Sequence, residues 1–234
     1  MPLIFFILPL LVFFGVGCGS PSQTKPSSLV SKEDHQTARE DAKDDLSNRE
    51  QPAKDNIVSS TSFQPFYIYQ DKGSRQNHYV PSGFMPDGKC INLDEGWTQN
   101  CHSGKTCIRT FYDVACSKED QKWGGIYWLN PPNNWGNRKG GFNLAGAQKL
   151  TFWAKGENGG EQIQEFTIGG IKGDYPDTDI VVIGPVILTP SWKQYTIDLR
   201  GRDLSYISGG FAWTTNVDVN PKPCIFYMDE IKFE

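Results

Sequence analysis

Lys149-Leu150-Thr151-Phe152-Trp153-Ala154 puts Leu150, Phe152 and Ala154 on one side of an extended chain and Lys149, Thr151 and Trp153 on the other. That is the period-two pattern of a half-buried strand. Gln194-Tyr195-Thr196-Ile197-Asp198-Leu199 repeats it. Working outward, similar short segments occur at Phe66–Tyr69, Lys89–Leu93, Thr106–Tyr112, Gly125–Leu129, Gln162–Ile168, Gly209–Thr214 and Cys224–Phe233. Gly, Pro, Asn and Asp separate them, and no long segment carries a 3.6-residue apolar period with caps. The reading is all-β, a β-sandwich or jelly roll. The segment Cys224–Phe233 is apolar on both faces at its start, which predicts a central strand paired on both sides.

The 234-residue chain divides into three kinds of material. Residues 1–18 are apolar up to Gly15-Val16-Gly17-Cys18, with Pro9 interrupting a run too short to span a bilayer. This end resembles a bacterial lipoprotein signal, which implies lipidation at Cys18 and an exported, membrane-anchored protein of the cell envelope or surface. Gly15 stands where that family prefers leucine, and residues 1–24 hold no Lys or Arg. Residues 19–62 have no aromatic residue and are rich in Ser, Lys, Asp, Glu, Gln and Pro. They cannot bury enough apolar surface to offset their ordering entropy, so they read as a disordered linker with an r.m.s. span of roughly 35–40 Å. Residues 63–234 suffice for one domain with its own core.

The net charge is −4 and no basic stripe is present, which argues against nucleic acid as a partner. Six cysteines suit an exported chain. With Cys18 lipidated, five remain. Cys101 and Cys107 flank a plausible turn and are the favoured disulfide, and one further bridge joins two of Cys90, Cys116 and Cys224. There is no Cys-x-x-Cys, and His102 is the only histidine nearby, which is a poor zinc set.

Trp123-Gly124-Gly125-Ile126-Tyr127-Trp128 and Asn130-Pro131-Pro132-Asn133-Asn134-Trp135-Gly136 concentrate aromatic rings among turn residues. A strand that buries Ile126 and Trp128 sends Tyr127 to its other face. Trp135 lies in a turn-rich segment, open to either burial or ligand contact. Flat rings beside amide-bearing loops suit a polar, CH-rich ligand such as a sugar.

These stretches belong to a wider pattern. Tyr79-Val80-Pro81-Ser82-Gly83-Phe84-Met85-Pro86-Asp87-Gly88 is one part, Gly146–Gly156 with Gly159-Gly160-Glu161 another, and Gly209-Gly210-Phe211-Ala212-Trp213 with Phe226-Tyr227-Met228-Asp229-Glu230-Ile231 the last. Together they resemble a group of bacterial exported proteins with a galactose-binding-domain-like jelly roll. That fold houses many carbohydrate-binding modules, often attached to glucanases, and also serves structural and protein-binding roles. The resemblance implies polysaccharide binding, β-glucan foremost, on one sheet face through an aromatic platform with amide or carboxylate partners. Trp153, Glu161 and Glu165 are candidates if their strands are neighbours, with Gln164 beside them and Trp135 and Tyr127 as further rings. The competing reading packs Trp153 beneath a loop and leaves the glutamates solvated. The resemblance also implies a structural calcium tying the first strand to the last, for which Asp71, Asp229 and Glu230 are the candidates.

Catalysis has weak support. There is no Gly-x-Ser-x-Gly elbow and no His-Glu-x-x-His. Ser103-Gly104-Lys105-Thr106 mimics the tail of a phosphate loop, but Gln99 stands where its first glycine belongs. Glu157, Glu161 and Glu165 are the carboxylates considered for glycoside hydrolysis: Glu161 and Glu165 would sit about 13 Å apart along a strand, too far unless it bends, and Glu157 can face Glu161 across the Asn158-Gly159-Gly160 turn, but among 27 acidic residues such pairs are common. A non-catalytic binding module is the first expectation, an envelope interaction module the second, and a carbohydrate-active enzyme the third.

Overall fold

The computed structural model describes residues 62–116 and 122–234. The signal segment with Cys18, and the linker up to its last residue, lie outside the described residues. Thirteen strands occur among them: β1 (Phe66–Tyr69), β2 (Val80–Met85), β3 (Ile91–Trp97), β4 (Cys107–Tyr112), β5 (Trp123–Leu129), β6 (Lys149–Gly156), β7 (Gln162–Ile163), β8 (Glu165–Gly169), β9 (Ile180–Ile183), β10 (Val186–Ile187), β11 (Lys193–Asp198), β12 (Gly209–Asn216) and β13 (Cys224–Phe233). The described residues contain no α-helix, only a single 3-10 turn at Val114–Cys116. The protein is an all-β jelly roll.

Two antiparallel sheets face each other. The larger has the order β11-β6-β13-β4-β3, with β1 also pairing with β13. The smaller has the order β2-β5-β12-β8-β9, and β7 pairs with β10 alone. β13 lies between β6 and β4, as its two-sided apolar sequence requires. Between the layers Phe152 of β6 meets Phe166 of β8 at 4.6 Å and Phe211 of β12 at 5.2 Å between ring centres. Trp213 of β12 meets Phe226 of β13 edge-on at 5.0 Å. Trp128 is fully buried against Phe211. Rings of this size, interleaved from both layers, carry much of the burial that holds the sandwich shut.

Three differences from the sequence reading have local causes. β2 was not among the expected strands; it contains Pro81 and lies at an edge, the place in a sheet where proline is tolerated. β9 and β10 were hidden between glycines and prolines. The expected strand Gln162–Ile168 breaks at Gln164, so that β7 and β8 belong to different sheets. Gln164 donates its N–H to Thr214 O at 2.8 Å, and a Cβ on Gly184 would stand 2.0 Å from Gln164 O.

Disulfides join Cys101 to Cys107 and Cys90 to Cys116, and Cys224 is a free, buried thiol. The first closes the loop between β3 and β4. That loop is also seated on two carboxylates. Asp71, just past β1, accepts the N–H groups of Lys105 and Thr106 at 2.7 Å each. Asp229, within β13, accepts the Ser103 N–H at 3.0 Å.

Candidate functional site

The outer face of the smaller sheet is built by strand parity. With Ile126 and Trp128 turned into the core, β5 presents Trp123, Gly125 and Tyr127 outward. Register carries the outward rows across the sheet. Tyr127 stands opposite Ala212, Ala212 opposite Thr167 and Thr167 opposite Val182; Gly125 stands opposite Thr214 and Thr214 opposite Glu165. The middle of the face carries small residues, Gly125, Ala212, Thr214 and Thr167, of which all but Thr214 are buried, with the Met85 side chain against Gly125. Larger groups flank it, with Trp135 and Tyr127 on one side and Ile180 and Val182 on the other. From β5 to β9 the trough spans three strand spacings, about 14 Å. Trp123, Trp135, Ile180 and Val182 are 40, 43, 52 and 44% exposed, an apolar display that folding leaves unburied.

Trp135 reaches this face from the loop after β5. It stands edge-on to Tyr127, with ring centres 5.9 Å apart. Gly83 of β2 makes the room: a Cβ there would lie 2.8 Å from Tyr127 Cβ and 3.0 Å from Trp135 Cζ2. The loop's asparagines hold the backbone. Asn134 is fully buried, donates to Arg138 O at 3.0 Å and accepts the Gly136 N–H at 3.2 Å. Asn130 donates to His78 O at 3.1 Å, and the Asn133 N–H donates to Ser82 Oγ at 2.9 Å. These amides, expected to face a ligand, instead fix the ring that faces it. Gly136, at φ +85°, closes the turn against Lys172 O, where no side chain would fit.

Tyr127 donates its hydroxyl to Gly169 O at 3.1 Å. Burial, with the charges of Asp177 and Glu165 behind it, pushes that hydroxyl up to about 12, so it stays protonated and its ring edge stays fixed. Glu165 is exposed on the same face. Trp135, Tyr127 and Glu165 are thus brought together.

Trp153 and Glu161 are not brought to this face, which corrects the expectation of a single site. β6 pairs with β11 and β13, never with β8, so Trp153 lies on the outer face of the opposite sheet. There it stacks on His102, ring centres 3.7 Å apart, covered by the loop between β3 and β4. Glu161 was expected on the face of Glu165. The strand break turns it inward, where it is buried and Oε1 accepts the Asn158 N–H at 2.8 Å. Gln164, at the break, accepts from Gln162 Nε2 at 3.1 Å. Glu157, at the end of β6, accepts the Tyr227 hydroxyl at 2.6 Å. Glu165 thus lies on the smaller sheet's outer face, while Glu157 is held by Tyr227 and Glu161 by the Asn158 N–H.

The three calcium candidates all engage the loop between β3 and β4. Asp71 and Asp229 point their oxygens at backbone N–H groups, and Glu230 Oε1 accepts the Ser103 hydroxyl at 2.9 Å. The tie between first and last strands is made directly, by β1 pairing with β13.

No protein-family model matches the chain, and no curated protein sequence matches it. Solved structures do. A family 30 carbohydrate-binding module is 17% identical over 73% of this chain and 98% of its own, with a TM-score of 0.48. A family 11 module from Clostridium thermocellum, in complex with a β-1,3-1,4-mixed-linked tetrasaccharide, is 17% identical over 61% and 80%, with a TM-score of 0.41. A variant of a family 29 module is 11% identical over 73% and 89%, with a TM-score of 0.44. At TM-scores below 0.5 neither fold nor ligand is inherited from these likenesses; both rest on the strands and side chains described above.

Trp123, Ile180, Val182 and Thr214 belong to the trough and were not anticipated. Trp123 shares strand parity with Tyr127 and was legible as its companion. Val182 and Ile180 were not, because nothing local says that β9 joins this sheet.

Proposed function

We propose that this is an exported, surface-tethered, non-catalytic protein whose smaller sheet binds polysaccharide along its outer face, with a β-glucan-like chain as the favoured ligand. One observation carries the reading: an exposed Trp135, held edge-on over Tyr127, beside a floor of small residues with Glu165 in reach. A pyranose ring offers an apolar CH face and a rim of hydroxyls. The flat ring of Trp135 suits the first, and Glu165 and Thr214 suit the second. The tether is the part read from Cys18 and residues 19–62.

The test is retention of the purified protein on a panel of soluble and insoluble polysaccharides, β-glucans foremost. Retention on one class, abolished by competing oligosaccharide, supports the proposal. A folded protein retained on none overturns it. A second reading, a protein-interaction module of the envelope, is favoured by the exposed apolar residues of the smaller sheet's β9 edge. Crosslinking to a protein partner without any glycan retention would select it.

A further inference from the structure

The larger sheet carries a concavity of its own on its outer face, of about 250 Å³. Its walls are aromatic and its charge is mostly positive. The Arg109 guanidinium lies over Trp97, 5.1 Å from the ring centre. The Lys155 ammonium lies 4.7 Å from the centre of Tyr227 and 5.5 Å from that of Trp192. Among the described residues neither cation forms an ion pair with a carboxylate. The rings are locked by their own polar ends: Trp97 Nε1 donates to Gln99 O at 3.0 Å, Trp192 Nε1 to Asn100 O at 2.8 Å, and the Tyr227 hydroxyl to Glu157. The concavity is therefore preorganised, with N–H donors of Arg109 and Lys155 free of carboxylate partners.

We propose that this concavity, between Trp97, Arg109, Lys155 and Tyr227, is a second binding site that takes an acidic sugar residue. Arg109 and Lys155 pair with its anionic group, a carboxylate or a sulfate ester, while Trp97 and Tyr227 line its ring. Glu157, held by Tyr227, accepts a hydroxyl at the far rim. A hexose-sized group matches the volume. Two cations on aromatic plates, offset by one carboxylate, suit one anionic group rather than a polyanionic backbone. A neighbouring hollow of about 450 Å³ is lined by the same Arg109 with Lys89, Asn92, Phe111 and the carboxylate of Asp113, and has room for an adjoining sugar residue. The site is on the sheet opposite the trough, so it neither needs nor excludes neutral-glycan binding there.

Calorimetric titration of the purified protein with oligogalacturonate, a sulfated galactan oligosaccharide and a neutral mixed-linkage glucan tests this. Arg109→Gln and Lys155→Gln provide two independent variants, each first shown to keep the wild-type circular dichroism and melting curve. Binding of an acidic probe that weakens with salt, and by about tenfold or more in a folded variant, supports the proposal. Preference between the carboxylated and the sulfated probe names the anionic group. Trp135→Ala should leave acidic binding intact, which separates the two sites. Wild-type protein that binds neither acidic probe, or binding that folded variants leave unchanged, overturns it.

Discussion

Replacing Trp135 by alanine isolates the contribution of one ring to polysaccharide binding. The side chain is 43% exposed. A tryptophan offers up to about 250 Å² in all, so about 110 Å² of this one is available, and a sugar stacked on one face covers about half of that. At about 25 cal/mol/Å² the covered area corresponds to ~1.3 kcal/mol, which is roughly a tenfold rise in Kd. The fold should survive, because the loop is pinned by Asn130, Asn133 and Asn134 rather than by the ring. The assay is calorimetric titration or affinity electrophoresis with the polysaccharide that retains the wild type, with melting curves to show that the variant is folded. Trp153→Ala is the internal control. Its ring lies on the opposite sheet under His102, so neutral-glycan affinity should not change. A folded Trp135→Ala protein with wild-type affinity, or a folded Trp153→Ala protein that alone loses it, would refute the assignment of the site to the smaller sheet.

Three further outcomes follow from the structure. Removing the Cys90–Cys116 bridge by paired Cys→Ser substitution should cost more than removing Cys101–Cys107: the closed loops, of sequence separation 26 and 6, correspond to about 3.5 and about 2.2 kcal/mol of chain entropy, and denaturant titrations in the reverse order would contradict this. Burial pushes the Asp229 carboxyl up to about 7 from 3.8, with the Glu230 charge adding to it and the Ser103 and Glu230 N–H groups opposing it. The unfolded chain then gives up this proton first, so the stability Asp229 contributes is full below about pH 4 and is lost as pH rises to about 7. Wild type should lose stability relative to Asp229→Asn across that window, and a pH-independent difference would count against it. Burial, with the Glu161 charge behind it, pushes the Cys224 thiol up to about 12, so a thiol reagent at neutral pH should label it only on unfolding; rapid labelling of the native protein would show that the thiol is accessible.

The surroundings of Asp71 and Asp229 were not legible in the sequence. Carboxylates near both ends of the domain do gather where the first and last strands meet. What reaches their oxygens, however, is the N–H groups of the loop that Cys101 and Cys107 close. Only the paths of β1, β13 and that loop through space bring these donors and carboxylates together.

Strand parity was legible without any structure. Alternation along Trp123–Leu129 says that Tyr127 turns away from Ile126 and Trp128, and alternation along Lys149–Ala154 says that Trp153 turns away from Phe152. Both are consequences of backbone geometry within a single strand. Parity says nothing about which sheet a strand joins. It placed Glu161 with Glu165 because it could not show the break at Gln164, where the chain passes from the β7–β10 pair to the smaller sheet. Pairing is decided by which arrangement buries Phe152, Phe166, Phe211, Trp213 and Phe226 in one core, a property of residues distant in sequence. Hence the aromatic and acidic side chains that the sequence presents as one cluster end up on opposite faces of the sandwich: Trp135, Tyr127 and Glu165 on one, Trp153 and the cationic concavity on the other.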